Sequence, residues 1–377
     1  HLVRPSQAMQ EKPHKTRVVI TGYGMVTPLG KDAEETFSRA SRGESGIDYI
    51  RSFDTTGLPC RIGGEVDDAW LGGFEALSAG RLEKFASRGL KLMATATREA
   101  TGQAKLDTIQ NRETIGVSLG SHGENAPLDQ VLYLHRFYDG NGGWDVTGLM
   151  RAGGYSYLSF FRCKPDVAMA LLANLFDCRG SHLSIVSACA AGAQAIGEAV
   201  HLIREGRANV MIAGGCEATL DFLGFVGFVL IKALAERYTD PQTASRPFDR
   251  KRSGFVMSEG AGAIVLEALE HAQARGVPIL GELLGYGDSA DAYRITDTHP
   301  QGEGAVLAIR RALEDASVLP DEVDYINAHG TSTAQNDLVE TLAIKRVLGA
   351  RAKDVPVSSN KSMLGHSIAA AGPIECI

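Results

Sequence analysis

The chain has 377 residues, 44% of them hydrophobic and 22% charged, with 43 glycines. That composition excludes disorder and a collagen-like repeat, and the length suits one large domain or two to three smaller ones. Lys and Arg number 38 against 45 Asp and Glu, a formal charge of −7, which argues against a general nucleic-acid binder, because phosphate backbones require a basic face. Six cysteines (Cys60, Cys163, Cys178, Cys189, Cys216 and Cys376) are too few to staple a fold of this size. None forms a C-x-x-C pair, which argues against a zinc ribbon. The longest apolar run, 222–231, is too short to span a bilayer. Residues 1–15 are polar, lack the apolar centre of a signal peptide and read as a leader or frayed end. A cytoplasmic protein without membrane association is expected.

In chain order, RVVIT at 17–21 reads as a strand ending at Gly22 and Gly24, and 81–104 carries a helical pattern. TIGVSL at 114–119 is the next strand, the Gly- and Asp-rich stretch 138–145 a surface loop, and 169–175 a helix leading into the strand LSIVS at 183–187. A small-residue helix over 190–204 and the strand NVMIA at 209–213 follow. Residues 238–252 read as a second surface loop. Strands at 264–266, 279–284, 324–327 and 355–358 alternate with helices at 304–317 and 338–348. Short apolar runs bounded by glycine, alternating with helices, predict α/β layers around a mostly parallel sheet.

The halves echo each other. TIGVSLGS at 114–121 resembles YINAHGTS at 325–332, and LSIVSACAAG resembles VPVSSNKSMLG. An internal duplication follows, with halves 16–267 and 268–377 and a second copy that looks cut short at Ile377.

Cys189 lies at a polar turn between a strand and a small-residue helix. A helix N-terminus lowers a thiol pKa and enriches the nucleophilic thiolate, although most free cysteines are buried and inert. His329, in NAHGTSTAQND, follows the strand DYIN, a place where a ring can point into a cleft or serve as an ordinary loop histidine. Lys361 and His366, in SSNKSMLGHS, sit in a small-residue turn and not on a charged helix face. Glu340 could pair with Lys361 if the two loops meet. A thiol with two imidazoles, each after a glycine-bounded strand, is more specific than any member alone. Two histidines can donate to one thioester carbonyl and stabilise an enolate as CO2 leaves. A metal site is disfavoured by the ligand spacing.

SACAAG, NAHGTSTAQND and NKSMLGHS resemble, in order, the three motifs of the β-ketoacyl-[acyl carrier protein] synthases. RPFDRKRSGFVMSEGAGAIVLE and VVITGYGMVTPLG resemble that family's connecting segment and first strand. The resemblance runs from about Arg17 to Ile377 and is closest to the elongating type II condensing enzymes. It implies the thiolase fold, two similar layered α/β halves in one domain assembly, and a homodimer. It implies an acyltransferase that makes a carbon–carbon bond by decarboxylative Claisen condensation in fatty acid biosynthesis, with no cofactor. Cys189 would hold the acyl chain, His329 and His366 would promote decarboxylation of a malonyl thioester, and Lys361 would act electrostatically, paired with Glu340. Thr331, Thr333 and Thr296 would bind the phosphopantetheine arm. Asp291 and Asp337 match recurrent acidic positions with no role evident. The partner would be an acidic acyl carrier protein, for which Arg81, Lys84, Arg88 and Lys91, at helical spacing, offer a basic patch or else a solvated helix face.

SHGENAPLD at 121–129 departs from the family's glycine-rich wording, which bears on chain-length preference. The run 222–231 could line an acyl tunnel, a dimer seam or the core. Alternatives are the ketosynthase subunit of a type II polyketide synthase and a non-catalytic partner subunit, which would lack Cys189. A thiolase would need a second late cysteine, for which only Cys376 stands. The chalcone-synthase branch would carry Asn where His366 stands.

Overall fold

The computed structural model describes residues 15–71, 74, 82–294 and 297–377. Its strands are β1 (Val18–Val26), β2 (Asp48–Tyr49), β3 (Ile62–Gly63), β4 (Ile115–Ser121), β5 (His182–Ile185), β6 (Val210–Glu217), β7 (Gly260–Ala268), β8 (Gly281–Glu282), β9 (Ile326–Asn327) and β10 (Val357–Ser358). Six of them form one sheet in the order β5-β4-β6-β7-β1-β8. The pairs β5–β4 and β4–β6 are parallel, whereas β6–β7, β7–β1 and β1–β8 are antiparallel. The sheet is therefore mixed, not mostly parallel. Strands buried on both faces read as continuous apolar runs whichever way they point, so the direction of β7 and β1 was invisible in their composition.

The central strands feed two cores by alternation. Val210, Ile212 and Val265 face one side, packing with Leu90, Met93 and Ala100 of the helix Arg88–Gln103. Met211, Ala213, Ile264 and Leu266 face the other, against Ile196, Val200 and Ile203 of the helix Ala191–Arg204. The first helix begins at Arg88, seven residues later than the pattern suggested, because the Ser87 side chain caps it by accepting from the Leu90 amide at 3.2 Å.

A second, two-stranded sheet pairs β9 and β10 in parallel, Ile326 opposite Val357. The ends of β5, β9 and β10 lead within a few residues to Cys189, His329 and Lys361 respectively. Strand ends of this kind present side chains from turns held by buried backbone, the usual seat of α/β sites.

Residues 138–145 form an exposed turn organised by Asp139, whose carboxylate accepts from the Asn141 and Gly143 amides. The stretch 238–252 is not simply a surface loop. Arg246 N donates to Ser332 Oγ at 3.0 Å, Phe248 N to Asp337 at 2.7 Å, and Arg252 to the carbonyls of Thr333 and Ala334. Two backbone amides and the Arg252 guanidinium fasten it across the loop that follows His329 and the start of the next helix.

Candidate active site

Strand β5 delivers the chain to a 3-10 turn, Ala188–Ala190, that starts with Ala188 at φ 48° and runs into the helix Ala191–Arg204. Cys189 sits in that turn, its Sγ 3.0 Å from His366 Nε2. The thiol is not pulled down as its helix-terminal position suggested. Burial pushes it up to about 11; Lys361 opposes the rise, and Glu217 and Glu375 add to it. Loss of hydration around the sulfur outweighs the partial charge of a helix end here.

His366 is 2% exposed. Its backbone is clamped to the 256–258 segment, with its N–H donating to Val256 O at 2.7 Å and its carbonyl accepting from Ser258 N at 3.1 Å. Phe255 packs edge-on against its ring, with centroids 5.2 Å apart. The His329 ring stands 5.3 Å from that of His366 at 84°. Burial, reinforced by the Lys361 ammonium, drives His329 down to about 3 and His366 well below the usual range, so both rings are neutral near pH 7. Among the described residues the buried His366 Nδ1 has no hydrogen-bond partner. A proton there would be unpaired, so the ring's single N–H falls on Nε2, facing the sulfur.

Lys361 is 2% exposed. The expected pairing with Glu340 does not form: Lys361 Nζ bonds the carboxylate of Glu375, in the helix Ala371–Cys376. Glu340 instead accepts from the backbone amides of His329, at 2.6 Å, and Gly330, at 2.7 Å. The reason is placement. Glu340 projects from the helix Ala334–Leu348 onto the two amides of the His329–Gly330 loop, and Glu375 reaches the ammonium from the helix Ala371–Cys376. Glu375 escaped the sequence reading; its one signal is an acid inside the otherwise small, apolar run AAAGPIE.

Thr331 and Thr333 lie together, their hydroxyls 2.9 Å apart, with Thr331 5% exposed. Thr296 lies outside the described residues, as does Arg81. Asp337, 1% exposed, anchors Phe248 N and lies 3.5 Å from Arg252. Asp291 accepts from the His299 and Gly304 amides, tying a loop to the start of the helix Glu303–Ala316. The basic patch does not stand as drawn. Arg88 turns inward to Glu259 at 2.8 Å and also bonds Asp68, Lys91 pairs with Glu83, and exposed Lys84 lies over the Phe85 ring at 5.1 Å. Two of these cations are therefore largely neutralised within the chain.

Ligand atoms of Cys189, His329 and His366 lie within 4.8 Å of one another, a spacing a metal ion could accept. The buried ammonium of Lys361 in the same pocket opposes a second cation. In the apolar run, the helix Phe222–Leu230 buries Phe225, while Leu230 is 75% exposed. Leu223, Gly224, Gly227, Phe228 and Ile231 line a cavity of about 330 Å³ with residues of the 122–125 loop and Thr219.

The architecture and this cluster define a condensing enzyme of the thiolase-fold class. Residues 15–272 match the β-ketoacyl synthase N-terminal domain and 280–377 its C-terminal domain. The chain belongs to the β-ketoacyl synthase family. It is 40% identical over 378 residues to 3-oxoacyl-[acyl-carrier-protein] synthase 2 of Synechocystis sp., covering 96% of this chain and 84% of the relative. It is 39% identical over 384 residues to the chloroplastic 3-oxoacyl-[acyl-carrier-protein] synthase I of Arabidopsis thaliana, covering 99% and 76%. Among solved structures, a type II polyketide ketosynthase bound to a hexaketide, in complex with its acyl-carrier protein, superposes with a TM-score of 0.79 at 33% identity, covering 96% and 85%. The ishigamide ketosynthase/chain length factor superposes with a TM-score of 0.80 at 31% identity, covering 96% and 85%.

Proposed function

We propose that the chain is a 3-oxoacyl-[acyl-carrier-protein] synthase that condenses an acyl thioester with malonyl-[acyl-carrier-protein], with Cys189, His329, His366 and Lys361 as its working set. The observation that carries this reading is the Cys189 Sγ to His366 Nε2 contact of 3.0 Å, with the His329 ring edge-on to that of His366 and the polar atoms of all three residues within 4.8 Å of one another.

In the first half-reaction the sulfur of Cys189 bonds to the acyl carbonyl carbon, the carbon–sulfur bond to the carrier breaks, and the thiol proton ends on the departing carrier thiol. In the second, the carbon–carbon bond to the malonyl carboxylate breaks and CO2 leaves. The electron pair becomes an enolate whose oxygen accepts from the neutral imidazole N–H groups. Neutral rings can fill this role, since each keeps one N–H to donate to the oxyanion. The enolate carbon then attacks the acyl-Cys189 carbonyl, forming the new carbon–carbon bond and breaking the carbon–sulfur bond to Cys189, and the released thiolate takes up one proton from solvent. Lys361, fixed by Glu375, sets the field of the pocket, and Glu340 holds the His329–Gly330 backbone in place. Thr331 and Thr333 are assigned to the phosphopantetheine arm.

The names of the relatives support an acyl carrier protein as partner and fatty acid synthesis as the setting. Among the described residues no helix is long and apolar enough to cross a membrane, in keeping with a cytoplasmic enzyme. Exposed Met150, Tyr157, Phe160 and Leu132 supply apolar surface for a second copy of the chain. The ketosynthase subunit of a type II polyketide system is the second reading, favoured by the polyketide enzymes among the structures that superpose.

Cys189→Gln tests the assignment. It is expected to abolish condensation while retaining CO2 release from malonyl-carrier protein; if both activities persist unchanged, the role of Cys189 is wrong.

A further inference from the structure

We infer that Glu217 is a positioning residue for the Cys189–His366 pair, acting through Ala369; the inference rests on the condensing-enzyme reading above. Glu217 ends β6 and is 2% exposed. One carboxylate oxygen accepts from the amides of Ala218 and Thr219, each at 3.1 Å, and the other faces the amide of Ala369 at 3.4 Å. Ala369 stands three residues beyond His366, in the 3-10 turn Ile368–Ala370. Ile368 opens that turn at φ 38°. A β-branched residue enters the left-handed region only when its surroundings hold it there.

The carbonyl of Ala369 shows what does the holding. A Cβ on Gly192 would fall 2.3 Å from it, and a Cβ on Gly215 would fall 2.4 Å from it. Gly215 belongs to β6, and Gly192 opens the helix that follows Cys189. Ala369 is thus wedged between the central sheet and the first turn of the Cys189 helix, with a carboxylate at its N–H and two glycines making room for its C=O. One residue ties the His366 turn both to the sheet and to the segment that carries the sulfur. A sideways slip of this turn changes the 3.0 Å Sγ–Nε2 distance before it changes anything at the surface.

The two oxygens of Glu217 serve three amides between them. Glutamine has a single acceptor oxygen, so Glu217→Gln can keep the Ala218 and Thr219 bonds and lose the one to Ala369. Gly215→Ala presses on the same residue from the carbonyl side, with no change of charge. Both are expected to lower kcat for condensation about tenfold to a hundredfold, the scale of a misplacement near 1 Å, with KM for malonyl-carrier protein within about twofold of the parent. Gly214→Ala, one residue earlier in β6, would instead meet the Gly262 carbonyl of β7 at 2.1 Å. It serves as the control for general damage to the strand, and is expected to lower the melting temperature while leaving the turnover of folded protein unchanged. Unchanged kcat in folded Glu217→Gln would overturn the inference, as would a loss in kcat shared equally by Gly214→Ala. An unmutated protein that neither releases CO2 nor condenses overturns the condensing-enzyme reading instead.

Discussion

Replacing Lys361 with methionine removes the one ammonium from a pocket that also holds the carboxyl groups of Glu375 and Glu340. The Lys361 side chain is 2% exposed and that of Glu375 15%. Breaking a buried ion pair by deleting one member costs about 3–5 kcal/mol, because the survivor keeps its desolvation and loses its counter-charge. At roughly 2–4 °C per kcal/mol for a large domain, the melting temperature should fall by about 10 °C. The deficit should depend on pH with a definite sign. Burial already pushes the Glu375 carboxyl up, and the Lys361 ammonium and its hydrogen bond pull it back. Without the ammonium the folded-state pKa rises further above its unfolded value, so the folded variant takes up a proton more readily and its relative stability improves as pH falls. His329 and His366 shift in the same sense, since Lys361 is among the causes that lower them. Scanning calorimetry at pH 7.5 and pH 5 should show the gap to the parent narrowing at the lower pH. The double variant Lys361→Met with Glu375→Leu should recover most of the loss at pH 7.5, because the carboxylate that lost its direct partner is gone and Glu340 keeps its two backbone amides. A gap that widens at pH 5, or a double variant no better than the single one, would refute the reasoning.

Alkylation of Cys189 by iodoacetamide, followed by mass spectrometry, should keep accelerating through pH 9 and beyond, because burial pushes the thiol up to about 11; a plateau below pH 8 would contradict this. Nitrogen-15 spectra of the histidine rings at pH 5.5 should show His329 and His366 still neutral, given His329 at about 3 and His366 well below its usual value; a cationic form of either ring at that pH runs against the prediction. Asp337→Ala strips the acceptor from Phe248 N and the counter-charge from Arg252. It should cost about 1–3 kcal/mol and open the 246–252 segment to limited proteolysis, and an uncleaved, equally stable variant would show that the segment is held by other contacts.

Much of the site was legible because three of its members follow glycine-bounded strands. The polar turns after LSIVS, DYIN and VPVS stood out against apolar runs, and they mark Cys189, His329 and Lys361. The partner of Lys361 was not legible. Glu340 and Glu375 both sit on helices near the lysine, and what separates them is which carboxyl meets the two unpaired amides of the His329 loop, a matter of loop geometry. The antiparallel half of the sheet escaped for another reason: β6 and β7 are buried on both faces, with no alternation to betray their direction. The 238–252 stretch looked like a surface loop from its polarity, yet Arg246, Phe248 and Arg252 bond to a loop some eighty residues further along. The fate of Arg88 was hidden because a helical spacing of cations does not reveal the buried Glu259 waiting for one of them.

The Cys189–His366 pair is flanked by two contorted steps, Ala188 just ahead of the sulfur and Ile368 two residues past the imidazole, at φ 48° and 38°. An L-residue in that region costs about 1–2 kcal/mol relative to glycine. The molecule could therefore be hardened by relaxing it here: Ala188→Gly or Ile368→Gly would relieve the torsion, at the expense of side-chain packing for the isoleucine, while freeing the backbone that aims Cys189 and His366. The tension lies on either side of the Cys189–His366 pair, so thermal robustness and turnover pull in opposite directions there.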